Sequence, residues 1–146
     1  MKIRDLLKMT DFENRVVVIV RQNQTVSEAV NKLIENNRGS LPVCNDTGEL
    51  VGIITERDIV RKCFVHGGDL NNINIGDIMT EQVAICIPED DLDYAIEVMK
   101  RKRIRHLPVV DNQKIVAMVS MRDLFGVQYE GAKAEIRYAR LLPKRY

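Results

Sequence analysis

Tryptophan is absent from the 146 residues, and there are only three phenylalanines and four tyrosines. So few rings leave little for a stacking platform of the kind that binds single-stranded nucleic acid. An excess of one charge is also missing. Lys+Arg number 22 and Asp+Glu 21, a net charge of +1, so no global field draws the chain toward nucleic acid or acidic membranes. Long apolar runs are lacking too. The longest, residues 16–20, is five residues; it is too short to cross a bilayer and reads as a strand. The opening Met1-Lys2-Ile3-Arg4-Asp5 has no signal-peptide core, so the expectation is a cytoplasmic protein with no membrane partner. Cysteine is scarce, odd in number and without a CxxC pair, which argues against a disulfide framework or a zinc site. Cys44, Cys63 and Cys86 sit among apolar neighbours and read as buried, reduced thiols.

Hydrophobic residues make up 45% and charged residues 29%, as in a soluble globular protein. The length suits one compact domain or two small repeats folded together. The sequence aligned with itself favours repeats. At an offset of 66, Val17 meets Val83, Ala29 meets Ala95, and Leu41-Pro42-Val43 meets Leu107-Pro108-Val109. After a one-residue deletion, Val51 meets Val116, Thr55 meets Ser120, and Arg57-Asp58 meets Arg122-Asp123. A long period in matching order marks a duplicated unit. Each copy is too short to bury its own core, so the two should pack on each other.

Each copy reads as β-α-β-β-α, an α/β unit. First strands are expected at 16–20 and 83–87. In copy one Thr25 caps the next helix and Glu28 stands three residues on, a capping-box pattern. Val26, Ala29, Val30, Leu33 and Ile34 then share a face. Asp91 takes the cap position in copy two, ahead of Leu92, Ala95, Ile96 and Met99. Strands at 41–44 and 107–110 turn into third strands at 50–54 and 115–119. Second helices start at Thr55 and Ser120. This divides the chain into repeat one at 8–64, a linker at 65–78, repeat two at 79–127 and a basic tail at 128–146. Within the tail, residues 132–142 could be helical until Pro143. A weaker echo of the lead-in Ile75-Gly76-Asp77-Ile78-Met79-Thr80 lies at Ile3-Arg4-Asp5-Leu6-Leu7-Lys8.

The paired motifs Gly52-Ile53-Ile54-Thr55-Glu56-Arg57-Asp58 and Ala117-Met118-Val119-Ser120-Met121-Arg122-Asp123, the two Leu-Pro-Val strands and the Asp77-Ile78-Met79-Thr80 lead-in resemble a CBS-domain pair, or Bateman module. The resemblance covers about residues 1–127 on the repeat reading. It implies two β-α-β-β-α repeats packed about a pseudo-two-fold axis, with two clefts between them for adenosine ligands: AMP, ADP, ATP or S-adenosylmethionine. It also implies a homodimer and a regulatory rather than catalytic role with no required cofactor; the residues themselves offer no metal site.

Helix capping alone accounts for Thr55-x-x-Asp58 and Ser120-x-x-Asp123. The same geometry also suits a ribose, because a carboxylate beside a cleft accepts hydrogen bonds from both the 2′ and 3′ hydroxyls. With the resemblance, ribose binding stands first for Asp58 and Asp123; Thr55 and Ser120 cap alongside, and their hydroxyls and the free N–H groups of the helix starts can face a phosphate. Gly52 would let a ligand approach the backbone, whereas Ala117 carries a methyl at that place. By position, the resemblance makes Arg105 and His106 phosphate contacts; the alternative is a solvated basic helix end. Copy one has Gly39-Ser40 there. Arg57 and Arg122 are further phosphate candidates. Val17 and Val83 would flank an adenine, and Ile78 and Thr80 would line the same cleft, with ordinary packing as the competing role.

The first expectation is therefore an adenine-nucleotide sensor whose state an unidentified partner protein reads. The second is a structural protein–protein interaction module with vestigial clefts. A catalytic role lacks a nucleophile–base pair, a metal-ligand cluster and a phosphate-cradling glycine loop. The absence of a recognition motif counts against nucleic acid as a partner.

Overall fold

The computed structural model describes residues 1–128 and 135–139. Two short helices open the chain, α1 (Ile3–Leu7) and α2 (Thr10–Glu13). The first repeat follows as β1 (Val20–Arg21), α3 (Val26–Glu35), β2 (Ser40–Cys44), β3 (Leu50–Thr55) and α4 (Glu56–Lys62). After α5 (Ile75–Ile78) comes the second repeat: α6 (Leu92–Lys102), β4 (His106–Asp111), β5 (Lys114–Ser120) and α7 (Met121–Gln128). No helix among the described residues is long and apolar enough to cross a membrane.

The expected first strands differ most. In repeat one only Val20 and Arg21 pair, parallel to Val43 and Cys44. In repeat two the strand is reduced to a parallel bridge between Cys86 and Val109. Val16, the first residue of the valine run, is 81% exposed. β-Branched residues favour extended backbone, but here the extended segment runs along a cleft and joins no ladder until Val20.

The other elements match across the repeats. Ser40 pairs with Thr55 and His106 with Ser120, and both hairpins shift register at equivalent points, Val43/Cys44 and Val109/Val110. Thr25 closes a reciprocal capping box with Glu28, at 3.2 and 2.8 Å. Val26, Ala29 and Leu33 of that helix are buried, whereas Ile34 is exposed. Asp91 occupies its cap position without a side-chain cap bond and faces Lys2 at 3.8 Å.

Each lead-in helix packs on the repeat that it does not precede. The N–H groups of Ile3 and Arg4 donate to Asp90 and Pro88 at 2.8 and 2.9 Å. Those of Ile75 and Gly76 donate to Gln24 and Gln22 at the same two distances. Ile3 and Leu6 thereby enter the core with Leu92, Met99, Leu107 and Leu124. Ile75 and Ile78 enter the other core with Val26, Leu33, Leu41 and Ile54. These reciprocal contacts relate the halves by a pseudo-two-fold. The three thiols are buried, and burial raises the pKa of each, that of Cys86 to about 12. Of the tail, residues 135–139 are exposed and lie outside regular secondary structure; the rest of the helix expected at 132–142 lies outside the described residues.

Candidate functional site

The two lead-ins differ in length. Ile3 to Val17 is 14 positions and Ile75 to Val83 is eight, six fewer. The longer one folds its excess into α2 and leaves a cavity of about 350 Å³ between the repeats, within the size range of small-molecule sites. Val16, Val17 and Val18 form one wall and Val116, Ala117 and Met118 of β5 another. Arg15, Arg38, Ser40 and His106 supply polar groups, with Lys8, Phe12 and Glu13 from the lead-in. Among the described residues, no backbone hydrogen bond engages Val16, Val17 or Val18. Ser40 Oγ is buried there and has no hydrogen-bond partner among the described residues. Buried hydroxyls are generally satisfied, so this oxygen marks a place for a ligand donor or acceptor.

Asp123 is not itself a lining residue; Arg15 links it to the cavity. The guanidinium grips both carboxylate oxygens, Nη1 to Oδ2 at 3.2 Å and Nη2 to Oδ1 at 3.1 Å. Arg15 also lies over the Phe12 ring, 4.0 Å from its centroid. Ser120 caps α7: its N–H donates to Asp123 Oδ2 at 2.8 Å, and its hydroxyl accepts from the Asp123 N–H at 3.0 Å. Burial disfavours the Asp123 charge, but the Arg15 fork and the Ser120 contacts outweigh it and hold the carboxyl below its usual value. His106 is also shifted down, which for an imidazole favours the neutral form. Burial, then the nearby Arg38 charge, lowers its pKa; Arg105 adds to this and Asp123 opposes it.

The equivalent place in the other repeat is closed by the chain itself. Asp58 is 6% exposed. Its Oδ2 accepts from the Thr55 N–H and hydroxyl, both at 3.0 Å. Its Oδ1 accepts from the Thr80 hydroxyl at 3.1 Å and pairs with Lys62 at 3.0 Å. Thr80 also bridges Ile53 through two backbone hydrogen bonds, 2.8 and 2.9 Å. Gly52 faces this strap: a Cβ there would lie 2.7 Å from Met79 Sδ and 3.0 Å from the Thr80 carbonyl. The glycine accommodates the chain's own lead-in, and the open cavity lies on the Ala117 side.

The residues singled out in the sequence therefore fall into groups. Val17 and His106 line the open cavity, and Ser120 and Asp123 bond to each other behind the lining residue Arg15. Thr55, Asp58 and Thr80 bond to one another. Val83 lines a separate hollow of about 420 Å³, whose charged residues are Glu49 and Glu81. Ile78 is core. Arg57, Arg122 and Arg105 are exposed, and the Arg105 carbonyl accepts the Met121 N–H at 2.8 Å. Arg15, Arg38 and Ser40 were not anticipated as site residues. The unequal lead-ins were the available signal. Arg15 and Glu81 occupy the same repeat position, offset by 66, so the two hollows also differ in charge.

Comparison with known proteins agrees with this architecture. The family model for the CBS domain matches residues 3–64 and 75–130. The mitochondrial CBS domain-containing protein CBSX3 of Arabidopsis thaliana is 38% identical over 106 residues, covering 70% of this chain and 52% of that protein. The chain thus spans about half the length of that relative. It covers 21% of an L-aspartate semialdehyde sulfurtransferase from Methanosarcina acetivorans, at 35% identity over 79% of this chain. Among solved structures, a protein with CBS domains from Burkholderia ambifaria superposes with a TM-score of 0.81 at 28% identity, covering 94% of this chain and all of that one. The CBS-domain pair of protein MJ0100, in complex with 5′-methylthioadenosine and S-adenosyl-L-methionine, gives a TM-score of 0.71 at 30% identity, covering 88% and 98%.

Proposed function

The chain belongs to the CBS-domain family and carries two copies, and on that premise we propose a regulatory module that binds an adenine nucleotide (AMP, ADP or ATP) at the Asp123 side of the interface between repeats. The observation that carries this reading is the open cavity. It brings together three cationic side chains, Lys8, Arg15 and Arg38, with a buried hydroxyl and a stretch of backbone that have no hydrogen-bond partner among the described residues. Asp123 is the acceptor for ribose hydroxyls. The free backbone edge of residues 16–18 suits a purine edge. Arg38, Ser40 and His106 supply donors for phosphate. The MJ0100 pair, similar in fold and 30% identical, holds two ligands that contain adenosine; S-adenosylmethionine is therefore a competitor worth testing.

A structural role is favoured at the Asp58 cleft, where Lys62, Thr80 and Thr55 already engage the carboxylate. On this reading each chain takes one nucleotide. The module works in the cytoplasm as a homodimer, and a partner protein reads its shape. It performs no catalysis of its own.

Calorimetry with AMP, ADP, ATP and S-adenosylmethionine tests the proposal. We expect one site per chain, weakened by salt for the phosphate-bearing ligands. At about 100 times its dissociation constant, the ligand adds roughly 2.7 kcal/mol of stability. If no member of the panel binds at millimolar concentration, the interaction-module reading replaces this one.

A further inference from the structure

Arg15 occupies the acceptor that a ribose needs. An ionised carboxylate has about four acceptor positions. On Asp123 the Arg15 fork takes two and the Ser120 N–H a third. One remains, whereas a vicinal diol needs two. Arg15 lines the cavity and Asp123 does not. The Asp123 side chain is 12% exposed behind this contact and that of Arg15 is 38% exposed. A sugar therefore reaches the carboxylate only by displacing the guanidinium. Arg15 is also anchored to α2. It lies over Phe12 of α2, Phe12 is part of the core of repeat two, and the Arg15 N–H bonds the Phe12 carbonyl at 3.0 Å.

We propose that Arg15 is a specificity-determining latch on Asp123, displaced by the sugar of the ligand and re-engaged by its phosphate. This deepens the nucleotide reading above and rests on it. A neutral nucleoside must break the Arg15–Asp123 pair and offers the released guanidinium nothing in return. A nucleotide offers a phosphate in the cavity that Arg38 and His106 also line, and guanidinium forks match phosphate as well as carboxylate. The latch thus selects phosphorylated over unphosphorylated nucleosides. It also couples ligand entry to α2, because Arg15 cannot leave Asp123 without changing its contact with Phe12.

The test is calorimetry of the full chain with adenosine and AMP, on wild type, Arg15→Met and Arg15→Lys. Methionine keeps an apolar stem against Phe12 and removes the fork. Adenosine should bind Arg15→Met about tenfold more tightly than wild type, because its competitor for Asp123 is gone. AMP should not share that gain, so its advantage over adenosine should fall by about tenfold or more. Lysine, a point charge without the fork, should lie between. If Arg15→Met fails to fold, Arg15→Lys carries the same test with a smaller shift in the same direction. AMP binding to wild type, with adenosine unchanged or weaker in the variants, overturns the latch and leaves the site reading intact. Failure of both ligands to bind wild type and variants alike overturns both.

Discussion

His106 shows how one side chain ties the cavity to solution conditions. Its folded-state pKa lies below the ordinary 6.5, through burial first and then the Arg38 charge. The unfolded chain therefore takes up the proton first as pH falls. The His106 contribution is complete above about pH 6.5 and declines below it, until the folded imidazole itself titrates. Urea unfolding of wild type and His106→Asn between pH 8 and 5 should show a smaller acid-side loss in the variant. Asp123 does not confuse that comparison, because its carboxyl is held below its usual 3.8. Its own contribution is lost only as pH falls through that value toward the lower folded pKa. The residue-level difference between the repeats has the same local origin. Asp58 has four hydrogen-bonding or ionic contacts from Thr55, Thr80 and Lys62; Asp123 depends on Arg15 for two of its three.

At the level of elements, Gly52 and the strap across it can be tested directly. Gly52→Ala places a methyl against Met79 and the Thr80 carbonyl, an overpacking that costs about 1–3 kcal/mol. Met79→Ala in the same chain should recover part of the loss, because the side chain yields where the carbonyl cannot. Additive losses in chemical denaturation would show that Met79 is not the obstruction. The helices and hairpins were legible because their signals are local: the Thr25–Glu28 box, the apolar face of α3 at three- and four-residue spacing, and the turns after Cys44 and Val110. The strand expected at 16–20 was misplaced because five β-formers say nothing about whether a neighbour is there to pair with them. Ser40 holds the uncharged place in copy one that His106 holds in copy two, and no motif marks Arg38. Their place in the cavity depends on how one repeat docks on the other, which no local window contains. Arg105, favoured by its position in the sequence, is exposed, and its backbone, through its carbonyl, joins the start of α7.

For the whole molecule, the remaining question is which outer surface is covered. Val60 and Phe64 on and beside α4 are 78% and 87% exposed, and Phe125 of α7 is 43% exposed. Cys63 and Leu124, which share those stretches, belong to the cores, and Ile59 packs against one of them. An exposed apolar set of this kind suits a two-fold association. Sedimentation at micromolar concentration should give twice 16.7 kDa, and Val60→Ser with Phe64→Ser should halve it; a wild-type monomer would remove this face from consideration. The exchanged lead-ins impose a timetable on the chain as well. During synthesis α1 leaves the ribosome long before the segment around Glu89 and Asp90 that will seat it, 87 residues separating Lys2 from its acceptor at Glu89. At roughly 5–20 residues per second, Ile3 and Leu6 wait on the order of 4–17 seconds for cover. Repeat one cannot seal its core until Ile75 and Ile78 emerge. Neither half matures before the other is largely made, so α1 stays uncovered on the nascent chain while the residues that separate it from Glu89 and Asp90 are added.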